Sequence, residues 1–253
     1  MAIHWLTAFL DYPSEDFSTG ASFWQAITAS TMSPPRGIYG EFATLLPTSG
    51  DAYVRVQRLQ EGPAKCHLDV HVDDIEEEVG RARDLGASVD RVGHGITTMH
   101  SPSGLDFCVV SHHGEHERPS PSVWGDGLRS ILDQVSIDVA PSSFDAECEF
   151  WKEFSRWPLH QGSRPEFAFL TRAPDVALRL LFQRVEDVEK RRASAHLDFA
   201  CNDVEREARR HVAVGARVER VFEDWTTMRD PAHLVYCITR RDPDTGLLAG
   251  RRR

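Results

Sequence analysis

Lysine is scarce in this 253-residue chain, occurring only at positions 65, 152 and 190, and 29 basic residues stand against 39 acidic ones. The net charge of −10 repels phosphate backbones and anionic lipid, so nucleic acid and membrane surfaces are not expected partners. Arginine supplies nearly all the positive charge, which points to a GC-rich bacterial source. No stretch nears the roughly 18 uninterrupted apolar residues of a membrane span. The opening residues lack the basic segment and apolar core of a signal peptide, so the cytoplasm is the expected location. The five cysteines are odd in number and form no C-x-x-C pair, which argues against a disulfide framework. Walker, G-x-S-x-G and H-E-x-x-H motifs are also missing. Hydrophobic residues at 41% and charged residues at 27% describe an ordinary globular protein.

An internal repeat fills most of the chain. Sliding the sequence by 129 positions lays His67–Val110 over His196–Thr239 without a gap, and 18 of the 44 positions are identical, against roughly three by chance. Identical pairs include His67/His196, Asp69/Asp198, Asp74/Asp203, Gly86/Gly215 and Cys108/Cys237. Upstream, at an offset of 127, Phe17, Ala21 and Trp24 answer Phe144, Cys148 and Trp151. Each triplet has the i, i+4, i+7 spacing of one helix face.

Within a repeat the pattern predicts two β-α-β-β-β modules. Trp5–Leu10 reads as a strand, Asp16–Ile27 as a helix, and strands follow near Arg36, Gly40–Leu46 and Tyr53–Leu59. The alternating segment 66–72 is another strand. Asp73 and Asp74 then cap a helix that Gly86 ends, and three strands follow at Ser88–Val92, Thr97–His100 and Leu105–Val110. The expected fold class is α+β: four modules forming two domains with cupped mixed sheets. The predicted bounds are 1–112 and 129–246, with a linker at 113–128 rich in Pro, Ser, Gly and His and a basic tail at 247–253.

The segments His67-Leu-Asp-Val-x-Val-Asp-Asp and Ser101-Pro-Ser-Gly-Leu-Asp-Phe-Cys-Val-Val110, with their counterparts from His196 and Asp230, resemble the vicinal oxygen chelate superfamily. That group includes glyoxalase I, extradiol dioxygenases and proteins of bleomycin resistance. The resemblance implies ligands drawn from the first and last strands of each module. Carried over by position, these fall on His67 and His196, on Cys108 and Cys237, near Gln57 and Gln183, and near Thr7 and Gln134. Neutral Gln and Thr poorly offset the desolvation of a divalent cation. No metal and no other cofactor is therefore expected in the cups.

His67, Asp69 and His71 share one strand face, as do His196 and Asp198. A His with a carboxylate two residues away can move protons, so His67, Asp69, His196 and Asp198 are the candidate catalytic residues. Ala200 replaces His71 in the second copy. Gln57, His71, Cys108, Gln134, Gln183 and Cys237 are candidate ligand-binding residues. Trp5 and Trp225 join them, because neither has an aromatic counterpart in the other copy and an aromatic face can stack on a ligand. The first expectation is metal-free binding of a small organic molecule, as in sequestration, resistance or carriage. The alternative is a lyase, isomerase or epimerase acting through a His–Asp pair; a metal-dependent glyoxalase or dioxygenase is the third. The oligomeric state stays open between monomer and homodimer. His112, His113 and His116 read as a solvated knot in the linker.

Overall fold

The structure is a computed structural model that describes residues 3–187 and 192–248. The basic tail read at 247–253 lies outside the described residues from 249 onward. The elements of the first repeat are β1 (Trp5–Pro13), α1 (Phe17–Thr28), β2 (Thr31–Met32), β3 (Phe42–Leu46), β4 (Val54–Leu59), β5 (Lys65–Val72), α2 (Ile75–Asp84), β6 (Ser88–Gly93), β7 (Ile96–His100) and β8 (Asp106–Ser111). After β9 (Ser122–Val123) come β10 (Arg129–Val139), α3 (Phe144–Ser155), β11 (Leu159–Gln161), β12 (Phe167–Leu170), β13 (Arg179–Arg184), β14 (Ser194–Cys201), α4 (Val204–Ala213), β15 (Arg217–Val221), β16 (Trp225–Arg229) and β17 (Val235–Thr239).

The strands form two mixed sheets of the same topology. One runs β2-β3-β4-β1-β5-β8-β7-β6, the other β11-β12-β13-β10-β14-β17-β16-β15, with β9 paired to β10. The fold is therefore α+β, built from four modules. β5 and β8 run parallel, as do β14 and β17, while β7 and β16 run antiparallel to β8 and β17. The outermost strands β6 and β15 are exposed along their whole length. Their charged residues, Asp90, Arg91, Arg217, Glu219 and Arg220, suit an open sheet edge that must not recruit another strand.

Local chemistry explains the element ends. Asp74 accepts a hydrogen bond from the Glu77 N–H at 3.0 Å, and Asp203 does the same for Arg206 at 3.0 Å. Each caps a helix whose first turn is acidic, as the helix dipole favours. Gly86 and Gly215 follow these helices at φ 100 and 112, the left-handed geometry that lacks a steric penalty only in glycine. The strand expected near Arg36 shrinks to one bridge, Arg36 to Phe42. Pro34 and Pro35 precede it and lack N–H donors for a longer ladder.

By its contacts the chain divides into two compact units, and they do not follow the two repeats. Among the described residues, one unit comprises 3–9, 66–117, 135–187 and 192–195; the other comprises 10–65, 118–134 and 196–248. In the first, Phe150, Trp151 and Phe154 of α3 surround Phe107 of β8, with ring centroids 5.3–5.9 Å away. The buried Glu147 carboxylate accepts the Trp151 indole N–H at 2.8 Å and the Ser103 N–H at 3.0 Å. In the second, Trp24 of α1 stacks on Phe199 of β14 and meets Tyr236 of β17 edge-on. Its indole N–H donates to Asp230 at 2.9 Å. Both Trp side chains are fully buried, so each helix pairs a large apolar area with a satisfied polar handle.

Candidate functional site

Parallel pairing sets the candidate sites. In the β5–β8 pair Asp69 lies opposite Cys108, and in the β14–β17 pair Asp198 lies opposite Cys237. The His two residues before each Asp projects from the same strand face. Each repeat therefore gathers one imidazole, one carboxylate and one thiol: His67, Asp69 and Cys108, then His196, Asp198 and Cys237. The opposite strand face, Leu68, Val70 and Val72 or Leu197, Phe199 and Cys201, is buried.

In the second repeat His196 Nε2 lies 3.3 Å from Asp198 Oδ1 and 3.6 Å from Cys237 Sγ. The Gln134 amide of β10 donates a short hydrogen bond to Asp198 Oδ2. Thr227 of β16 places its hydroxyl 3.7 Å from Cys237 Sγ. Burial pushes the Cys237 thiol above its ordinary pKa, and the His196 charge opposes that shift. In the first repeat His67 Nε2 is 3.7 Å from Asp69 Oδ1, and Cys108 reaches the Thr98 hydroxyl of β7 at 3.8 Å. Phe9 of β1 stacks on the His67 ring at 4.7 Å and 13°.

The other sequence candidates go elsewhere. His71 is buried and meets the Thr7 hydroxyl at 2.9 Å. Gln57 is half-buried on β4 opposite Phe42, and Gln183 is half-buried on β13 opposite Phe167. Trp5 is fully buried, and Trp225 stacks on Phe222 at 4.3 Å. Sequence reasoning passed over Thr98, Thr227 and Phe9. The two threonines are an identical pair in the repeat, and that was a readable signal. Phe9 has Ser136 as its counterpart, so the repeat gave no cue.

The glyoxalase-like domain model matches residues 7–110 and 134–239. The chain belongs to the glyoxalase-like domain family. No curated protein matches its sequence. Among solved structures it is similar to a Mn(II)-bound glyoxalase from Novosphingobium aromaticivorans, with 15% identity, a TM-score of 0.65, and coverage of 94% of this chain and 82% of that one. It is also similar to a mutant 4-hydroxymandelate synthase from Streptomyces coelicolor, with 14% identity, a TM-score of 0.59, and coverage of 93% and 91%. A third is 2,2',3-trihydroxybiphenyl 1,2-dioxygenase from Sphingomonas wittichii, with 12% identity, a TM-score of 0.61, and coverage of 94% and 90%. At these identities the likeness is one of fold.

The expectation of no cofactor is corrected here. Three groups of His, Cys, Asp or Glu among the described residues hold their donor atoms within 4.8 Å of one another, and these clusters point to a metal rather than to none. The sequence argument failed because it sought the carboxylate on the last strands, where Cys108 and Cys237 stand. Asp69 and Asp198, two residues after each His, are the carboxylates that lie in the clusters. The donor chemistry fits a small divalent cation. Bonds of about 2.0–2.3 Å to N, O and S in a tetrahedral site set neighbouring donors about 3.3–3.7 Å apart. The 3.3 Å N···O and 3.6 Å N···S separations of the second repeat fall in that range, and the 3.7 Å N···O separation of the first repeat is a few tenths of an ångström wider than its donors require.

Proposed function

We propose that this glyoxalase-like protein binds a small organic molecule bearing adjacent oxygen atoms at a divalent metal held by His196, Asp198 and Cys237. His67, Asp69 and Cys108 serve the same role in the first repeat, so residues 1–112 and 129–246 each carry one site. The supporting observation is the donor spacing at equivalent positions of the two repeats. When bound, the metal would supply a positive charge that polarises a ligand oxygen. A thiol among the donors favours zinc and other borderline metals over hard, oxygen-seeking ones.

The chain's own residues prepare the site. Gln134 donates to Asp198, which fixes that carboxylate and favours its ionised form. Thr98 and Thr227 place hydroxyls beside the thiols. Phe9 covers one face of the His67 ring and keeps water from it. Chemistry of lyase or isomerase type on an oxygenated metabolite is the reading we favour, since a polarised oxygen stabilises the negative charge such reactions develop. Five buried free thiols suit a reducing compartment, and we place the protein in the cytosol. No helix among the described residues is long and apolar enough to cross a membrane.

The test uses chelator-stripped, untagged protein. Zinc is titrated by calorimetry, and acetohydroxamate, a probe with adjacent oxygens, is then added with and without zinc. The expected result is zinc uptake that falls by two equivalents in the His67→Ala/His196→Ala double variant, and hydroxamate binding that requires zinc. Hydroxamate binding of equal strength without metal, or zinc uptake unchanged in the double variant, overturns the proposal.

A further inference from the structure

The remaining cluster lies where the sequence suggested a solvated knot. His71 stands near the end of β5 and is buried, with its Nε2 2.9 Å from the Thr7 hydroxyl. His112 follows β8, and its backbone N–H donates to the Val72 carbonyl at 2.9 Å, so it extends the ladder beside β5. Its ring stacks on His4 at 4.8 Å, and His4 Nε2 meets Asp73 Oδ2 at 2.7 Å. Gly114, at φ 101, turns the chain back. That turn brings Glu115 Oε2 to 3.7 Å from His71 Nδ1 and 3.4 Å from His112 Nδ1.

Those separations exceed the 2.7–3.2 Å of an N–H···O hydrogen bond. The 3.4 Å between His112 and Glu115 matches neighbouring donors on one cation in a tetrahedral site, about 3.4 Å apart, and the 3.7 Å between His71 and Glu115 is a few tenths of an ångström wider. Thr7 holds His71 by its other nitrogen, and the His113 N–H donates to Glu115 Oε2 at 3.1 Å. Such outer contacts orient a ligand for metal. His112 and Glu115 keep 18% of their side-chain surface exposed, which leaves a route for an ion and for water.

The second repeat supplies an independent argument. Continuing the offset of 129, Arg241 stands where His112 does, Asp244 where Glu115 does, and Ala200 where His71 does. There the buried Arg241 guanidinium donates to Asp133 at 2.9 and 2.6 Å. That copy carries its own covalent cation. The first copy offers two imidazoles and a carboxylate and has no arginine at this position.

We infer that His71, His112 and Glu115 form a further metal site, separate from the His-Asp-Cys clusters, that takes a first-row divalent cation favouring imidazole. Bound there, the ion ties the segment after β8 to β5. Two imidazoles and one carboxylate suit zinc, cobalt, nickel or iron(II). The inference does not depend on the function proposed above.

The test is cobalt(II) titration of stripped, untagged full-length protein, followed by calorimetry and visible absorption. His67→Ala/His196→Ala protein should still bind one equivalent. In otherwise wild-type protein, His112→Ala and Glu115→Gln should each remove one equivalent or weaken it about 100-fold, with the circular dichroism of wild type. Glu115→Gln keeps the side-chain shape, so a loss there is a loss of a ligand and not of the fold. If the double variant binds no cobalt, or if neither His112→Ala nor Glu115→Gln changes the stoichiometry or affinity, the site does not exist. Two equivalents in wild type, both lost in the double variant, would sink this site and leave the proposed function standing. One equivalent, lost only with His112 or Glu115, would do the reverse.

Discussion

Asp198 lies directly across the parallel β14–β17 pair from Cys237, and Gln134 donates to Oδ2 of that carboxylate while His196 lies beside Oδ1. The amide holds the carboxylate without itself being one of the three clustered donors. Gln134→Leu should therefore preserve the number of metal ions bound and weaken the second-repeat site about 10–100-fold. Competition against a chromophoric chelator reads this directly. Equal affinity in variant and wild type would show that Gln134 is packing only.

Acid should loosen the α4 region in two stages. Glu207 is buried, which alone would raise its pKa, but hydrogen bonds from Arg210 and His211 hold it down to about 2, against an ordinary 4.5. Burial holds His211 below its ordinary 6.5, and its Nδ1 meets the Tyr236 hydroxyl at 2.9 Å. Both groups have depressed folded pKa values. Their stabilisation is present above the unfolded value and is lost as pH falls through the folded one. The His211 contribution therefore begins to fall below about pH 6.5 and that of Glu207 below about pH 4.5. Urea midpoints measured from pH 7.5 to 3 should drop accordingly. The His211→Phe variant should flatten the upper stage, and the Glu207→Gln variant the lower one. Curves parallel to wild type for both variants would exclude the assignment.

Much of this architecture was legible in the chain. The repeat predicted the four modules, and the expected helix at 16–27 is α1 at Phe17–Thr28. Asp74 and Asp203 cap where the pattern put them, because a cap is local chemistry. The His67/Asp69 and His196/Asp198 pairs lie in the two repeat-related clusters. What the chain did not disclose is long-range. Periodicity gives α1 an apolar face but not its partner, and Trp24 finds Phe199, 175 residues on. His112 looked solvated because composition around it is polar. One backbone hydrogen bond to Val72 and the Gly114 turn bring it onto His4 and Glu115.

The Arg241–Asp133 pair is fully enclosed, with 3% and 0% of the side chains exposed. Removing Arg241 leaves the buried Asp133 carboxylate with the more distant Arg118 guanidinium, 4.0 Å away; breaking a buried pair costs about 3–5 kcal/mol, whereas replacing both members with apolar groups of similar volume is about neutral. Arg241→Met should therefore lower the unfolding free energy by about that amount, and Asp133→Leu/Arg241→Met should recover most of it. Denaturant unfolding of the three proteins decides it. A double variant no more stable than Arg241→Met would mean that the pair organises its surroundings beyond its own charges.

The interleaving of repeats and units leads to a prediction about fragments. α1 belongs to the first repeat, but its buried face of Gly20, Ala21, Phe23, Trp24 and Ile27 meets Phe199, His211 and Tyr236, which come from the second. A fragment of residues 1–112 would leave Phe23 and Trp24 uncovered, an exposed aromatic patch of the kind that drives association. Truncating a buried Trp costs about 3–5 kcal/mol, and losing its whole partner surface removes a comparable share of a typical 5–15 kcal/mol stability. The fragment should sediment as oligomer, bind a hydrophobic dye and unfold with low cooperativity. Adding residues 113–253 in trans should restore a monodisperse complex. A 1–112 fragment that stays monomeric, excludes the dye and unfolds in one sharp transition would show that the first repeat is stable without the α1 contacts to β14, β17 and α4.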